Sequence, residues 1–126
     1  MTILIDTSVL IDHLRGDEAA RRALANAAQQ GERLASSVVS RVEVLAGMRP
    51  EEEPPTRRLL SALDWISVDD EIAERAGVLA NRFLRSHPGV DPVDFIVAAT
   101  AEIHDAILWT RNVKHFPMIS DLAPPY

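Results

Sequence analysis

Three acidic residues stand where a carboxylate can do chemistry. Asp6 follows the apolar run Ile3-Leu4-Ile5 directly, so its side chain is expected at the carboxyl end of a buried strand. Glu43 lies within Val42-Glu43-Val44-Leu45, an apolar stretch in which an unpaired charge is costly. Asp94 precedes Phe95 to Ala101, which is apolar nearly all round and therefore reads as a core helix. Each acid also has a plain structural use. Asp6 can cap the helix that follows, and Ser40 to Glu43 has the spacing of a capping box. Asp91-Pro92-Val93-Asp94 supplies a cap, a proline at the first helical position and an acid at the third. If the three acids converge in one crevice, they repel and raise one another's pKa. A divalent cation removes that penalty, and hard carboxylate oxygens without Cys or neighbouring His suit Mg2+ or Mn2+ better than zinc. His13, His87, His104 and His115 are spread without metal-ligand spacing and read as surface or satisfied core residues.

The elements that must position these acids follow from the apolar pattern. Strands are expected at Ile3–Ile5, Arg33–Ser36, Trp65–Val68 and Ala106–Trp109. Helices are expected from Ser8, which can cap, to a stop at Gly16, and over Asp17–Gln30, Val38–Met48, Thr56–Leu63, Asp69–Arg85 and Asp91–Glu102. Arg49-Pro50 breaks the third helix, and Glu51–Pro55 reads as an acidic loop. The tail from Leu122 to Tyr126 reads as irregular. Short apolar strands separated by helices require crossover connections, hence an α/β fold with a parallel sheet covered on both faces. In such sheets the functional crevice lies beyond the carboxyl ends of the strands.

Composition narrows the options. The 126 residues fit a single domain over 1–126, with an ordinary globular balance of 47% hydrophobic and 25% charged residues. The absence of cysteine excludes disulfides, thiolate metal sites and cysteine nucleophiles. No run is apolar enough to span a bilayer and the N-terminus lacks a basic leader, so no membrane association and a cytoplasmic location are expected. The net charge of −6 excludes a surface that grips nucleic acid phosphates throughout, so any such contact must be local. All cations except Lys114 are arginine, which favours bidentate pairing, although codon bias is the simpler explanation.

The runs ILIDTSVLID at 3–12, SRVEVLAG at 40–47, DFIVAATA at 94–101 and TRNVKHF at 110–116 together resemble the PIN-domain ribonucleases, and among them the VapC-like toxins of bacterial toxin–antitoxin pairs. Order and spacing agree along essentially the whole chain. The resemblance implies a three-layer α/β/α fold with a short parallel sheet of four to five strands. It also implies an endoribonuclease dependent on Mg2+ or Mn2+, a homodimer, and inhibition by a cognate antitoxin protein. Carried over by motif, the acids of the site fall on Asp6, Glu43 and Asp94. A fourth acid is frequent in the last motif, where this chain has Asn112, leaving three carboxylates and an open question of one metal or two. Thr7, Ser8, Thr110 and Arg111 border the same place and can hold a water or a phosphate. A cation held by Asp6 and Asp94 would polarise a phosphoryl oxygen of RNA, with Glu43 orienting or deprotonating water. Arg15, Arg41 and Arg111 are expected at the rim on flanking phosphates.

Two other readings fit parts of the sequence. A receiver-type signalling domain shares the fold class and an acidic pocket, and would use Asp69-Asp70 after the third strand with Lys114. An interaction domain without catalysis follows if the acids only cap helices. The apolar face carrying Leu79 and Phe83 exceeds what one small sheet needs, which supports self-association.

Overall fold

The computed structural model describes residues 1–126. The chain runs β1 (Thr2–Ile5), α1 (Thr7–Leu14), α2 (Glu18–Gln29), β2 (Arg33–Ser37), α3 (Val38–Ala46), α4 (Glu53–Ser61), β3 (Asp64–Ile66), α5 (Asp70–Phe83), α6 (Pro92–Ile103) and β4 (Ile107–Trp109). Short 3-10 turns occupy Pro50–Glu52 and Val113–His115. All strand pairs are parallel, in the order β3-β2-β1-β4.

The alternation of β1 builds the layers. Ile3 and Ile5 point into a cluster with Val9, Leu10, Leu24, Val44 and Leu60 from α1 to α4. Leu4 points the other way, into a cluster with Ile72, Leu79, Phe95 and Leu108, covered by α5 and α6. The result is the three-layer α/β/α arrangement, with four strands. Register sets the crevice: Ile5 pairs with Trp109 and Leu4 with Ala35, so Asp6 and Thr110 emerge side by side with Ser36 and Ser37 on the other flank. The Asp6 N–H donates to the Trp109 carbonyl at 2.9 Å, which locks that alignment.

Several boundaries differ from the sequence expectation. Helix α1 starts at Thr7 with Asp6 in the capping position, so Ser8 lies inside the helix instead of capping it. Ser37, whose hydroxyl accepts from the Val39 N–H, caps α3. Ser40 is therefore interior, fully buried and without a hydrogen-bond partner, and the Ser40–Glu43 capping box does not form. The Glu51–Pro55 loop is instead the 3-10 turn leading into α4, because Pro54 and Pro55 fall in the first turn, where no amide hydrogen is needed. Gly16 and Gly31, at φ +86° and +78°, take the left-handed conformation that stops α1 and α2. Leu79 is buried against α6, so it contributes to the core and offers nothing to a partner; Val78 on α5 and Leu84 just past its end are the exposed apolar residues here. No helix is long and apolar enough to cross a membrane.

The same layer yields a pH prediction. Burial, with the Arg21 guanidinium adding to it, holds the His13 imidazole below its ordinary 6.5. The unfolded chain then binds the proton more readily than the native one, so stability is complete above pH 6.5 and is lost as the pH falls below it. Urea midpoints should drop between pH 7.5 and 5.5, and His13→Gln should reduce that drop.

Candidate active site

Asp6 occupies the capping position of α1, yet its side chain caps nothing. Its Oδ2 instead accepts from the Thr110 hydroxyl at 2.7 Å and from the Ser8 hydroxyl at 3.2 Å. The two hydroxyl oxygens also lie 3.3 Å from each other. Thr110 Oγ1 already accepts from the Asn112 N–H at 3.0 Å, and Ser8 Oγ from the Arg111 N–H at 3.0 Å. Accepting these N–H groups leaves each hydroxyl proton available to donate to the carboxylate. Asp6 is only 5% exposed and has no cationic partner. A buried carboxylate without a cationic partner is a candidate for holding a cation.

Asp94 supplies the neighbouring charge. Asp91, Pro92 and Asp94 do form the capping arrangement read from the sequence: the Val93 N–H donates to Asp91 Oδ1 at 2.9 Å, and the Asp91 N–H donates to Asp94 Oδ2 at 3.1 Å. Capping occupies one oxygen of Asp94 and leaves the other free. Burial pushes the Asp94 carboxyl above the ordinary carboxylate range, and the charges of Asp6 and Asp91 add to the push. The Asp91 N–H and His115, whose Nδ1 is 3.4 Å from Asp94 Oδ2, oppose it. Asp6 and Asp94 thus feel each other across one crevice.

Glu43 joins from α3 through Thr7, whose hydroxyl donates to Glu43 Oε1 at 2.6 Å. Glu43 is exposed beside the exposed Val42, because this part of α3 faces outward and not into the core. Its charge therefore needs no burial partner. In all three acids one oxygen is engaged by a protein donor and the second, Asp6 Oδ1, Asp94 Oδ1 or Glu43 Oε2, has no protein partner. Such a donor set suits a hard cation. No three acidic or histidine side chains converge closely enough to form a finished cation cage. Asp6 and Asp94 are coupled by charge, and Glu43 is linked to the site only through Thr7, the residue after Asp6.

The remaining expected residues divide. Arg111 is at the rim, since its N–H binds Ser8, and its guanidinium lies 4.6 Å from the centre of the Tyr126 ring. Arg41 stacks on Trp65 at 5.0 Å. Arg15 follows the last turn of α1, about 13 Å along the helix axis from Asp6, and lines a groove with Val44 and Thr56 instead of the crevice. The Asn112 side chain is exposed and takes no part in the hydrogen bonds around Asp6. His115, expected as a surface or satisfied residue, is exposed and stands beside Asp94; the only sequence signal for that place is the TRNVKHF run. Lys114 is exposed, β3 is an edge strand and Asp69 caps α5 through the Ile72 N–H, so the elements of a receiver-type site do not meet. A groove of about 420 Å³ between α1, α2 and α4 contains none of the three acids.

A parallel sheet with helices on both faces and a carboxylate crevice at its carboxyl edge define a class, and the sequence profile of the PIN domain matches residues 3–119. The chain belongs to the PIN domain family. Its relatives include Ribonuclease VapC19 of Mycobacterium tuberculosis, 48% identical over 123 residues and 98% of each chain. Ribonuclease VapC10 of the same organism is 45% identical over 98% of this chain and 92% of its own length. A toxin–antitoxin complex from Klebsiella pneumoniae contains a chain of the same fold, with a TM-score of 0.79, 31% identity and 98% coverage of both chains.

Proposed function

We propose that residues 1–126 form one domain acting as a divalent-metal-dependent endoribonuclease, the toxin of a toxin–antitoxin pair held inactive by a cognate antitoxin. The observation that carries this reading is Asp6. It sits at a helix cap without capping, buried without a cation, and shares its crevice with a second carboxylate whose ionisation is opposed. Purely structural acids are arranged to lose such repulsion, not to concentrate it. Relatives named as ribonucleases and a neighbour named as a toxin–antitoxin complex support the same activity and partner.

Asp6 and Asp94 are the residues that would hold Mg2+ or Mn2+, with Glu43 at its edge. The cation would supply charge for the phosphoryl oxygens and a more acidic water. The chain's own residues do the rest. Thr110 and Ser8 fix the orientation of Asp6, the Asp91 N–H fixes Asp94, and Thr7 fixes Glu43 so that its free oxygen can accept a proton from water. Arg111 brings positive charge to RNA at the rim of an otherwise acidic site. The site belongs in the cytoplasm, where its RNA substrate and its antitoxin are made.

The test is incubation of the purified protein with total RNA, with and without Mg2+ or Mn2+, followed by sequencing of new ends. Cuts at defined positions that need the metal support the proposal; intact RNA under all conditions overturns it. Expression alone should arrest bacterial growth, and co-expression of the adjacent antitoxin gene should restore it. A homodimer is proposed as well, since Val78 on α5 and Leu84 just past its end are exposed. Light scattering at micromolar concentration should give twice the chain mass, and Val78→Lys should return it to the single-chain value.

A further inference from the structure

Three segments distant in sequence meet beside the crevice. The Tyr126 hydroxyl donates to Asp12 Oδ2 on α1 at 2.7 Å, while the Tyr126 ring carries the Arg111 guanidinium at 4.6 Å. Arg111 is tied to the site by its own backbone, through Ser8 to Asp6. Its side chain makes no ion pair, in contrast to Arg33 with Asp64 and Arg75 with Glu102. Asp12 accepts from the phenol and makes no ion pair with Arg111. A ring under a guanidinium fixes its plane and leaves the N–H edges free, and those edges match the two oxygens of a phosphate.

We propose that Tyr126 and Asp12 are positioning residues that hold the Arg111 guanidinium at the rim with its donors open, and that Arg111 thereby takes an RNA phosphate flanking the cleaved bond. This rests on the ribonuclease reading. Neither residue touches the reacting atoms. Tyr126 packs against the α1–α4 side of the core, so the platform is anchored and does not swing with the tail. The phenol stays protonated well above its ordinary 10.0, through burial first and the Asp12 hydrogen bond and charge next, against the opposing charge of Arg111 and with a smaller contribution from Asp17. It therefore donates to Asp12 across the whole working pH range.

The chain has a single tyrosine, so its ionisation can be followed by absorbance at 295 nm in the intact protein. The wild-type phenol should resist ionisation until the protein unfolds in alkali, and Asp12→Asn should return the midpoint towards 10.0. A wild-type midpoint near 10.0 would overturn the contact itself. In cleavage of a short RNA, Tyr126→Ala and Arg111→Ala should each raise KM roughly three- to tenfold with kcat within twofold, the scale of one exposed stacked cation. Combined, they should do no more than Arg111→Ala alone. Tyr126→Phe keeps the ring and should fall between wild type and Tyr126→Ala. Each alanine variant should also flatten the dependence of log affinity on log salt by about one unit, as for one lost phosphate contact. A lower Tm with KM and salt slope unchanged would mean a structural role only and would sink the proposal. RNA binding by fluorescence anisotropy in an Asp94→Asn background reads the same affinity changes without cleavage. If the wild type cuts no RNA, the ribonuclease reading fails by itself, while titration and anisotropy still decide the role of Tyr126.

Discussion

Asp6→Asn and Asp94→Asn should each lower RNA cleavage by about a thousandfold or more while leaving the protein folded, the loss expected when several kcal/mol of charge stabilisation at the phosphoryl group disappears. The fold should survive for a local reason. An asparagine at 6 keeps a carbonyl oxygen for the Thr110 and Ser8 hydroxyls, and one at 94 keeps an acceptor for the Asp91 N–H. Stability without metal should even hold or rise for Asp94→Asn. The carboxyl of Asp94 is pushed up in the native state, so the wild type loses stability as the pH rises through the carboxylate range, and the amide removes that loss. Urea midpoints at neutral pH and initial cleavage rates with Mg2+ measure the two effects separately. Cleavage by either variant at the wild-type rate would show that Asp6 and Asp94 are not the catalytic centre.

An acidic protein can act on RNA only if its charge is arranged locally. With a net charge of −6, long-range steering works against the substrate. Two of the arginines named at the sequence level, Arg41 and Arg111, stack on aromatic rings and form no ion pairs, while Arg33 and Arg75 are consumed by carboxylates elsewhere. Affinity for RNA should therefore be modest and depend on few contacts.

Short-range chemistry was legible in the sequence, and long-range chemistry was not. The Asp91–Asp94 cap could be read because its residues are neighbours and Pro92 marks the helix start. Ile3-Leu4-Ile5 placed Asp6 at a strand end, but no local pattern says whether a carboxylate there caps a helix or faces a crevice. That was decided by Thr110, 104 residues away. Likewise Glu43 meets Thr7 across 36 positions and Tyr126 meets Asp12 across 114. The Ser40–Glu43 misreading has a different origin. Ser36, Ser37 and Ser40 are all plausible caps, and β2 runs straight into α3, so the last serine of the strand, Ser37, takes the role.

Phe95→Ala should cost about 3–5 kcal/mol, a large share of the 5–15 kcal/mol that holds a domain of this size. Phe95 is 1% exposed and packs with Leu4, Ile72, Leu79 and Leu108, where the sheet meets α5 and α6. Loss of its ring leaves a cavity that this close-packed layer cannot collapse to fill. The residue also follows Asp94 directly, so the helix turn that presents Asp94 is anchored by this ring. Two readouts should move together. The urea midpoint should fall steeply, and the fraction still folded should cleave RNA more slowly than wild type, because a shift of about 1 Å at a catalytic group can cost a hundredfold in rate. Phe95→Leu refills most of the volume and should recover the greater part of both. A Phe95→Ala protein that lost less than about 1 kcal/mol would mean that α6 is not fixed by this contact, and that Asp94 owes its position to the Asp91 cap alone.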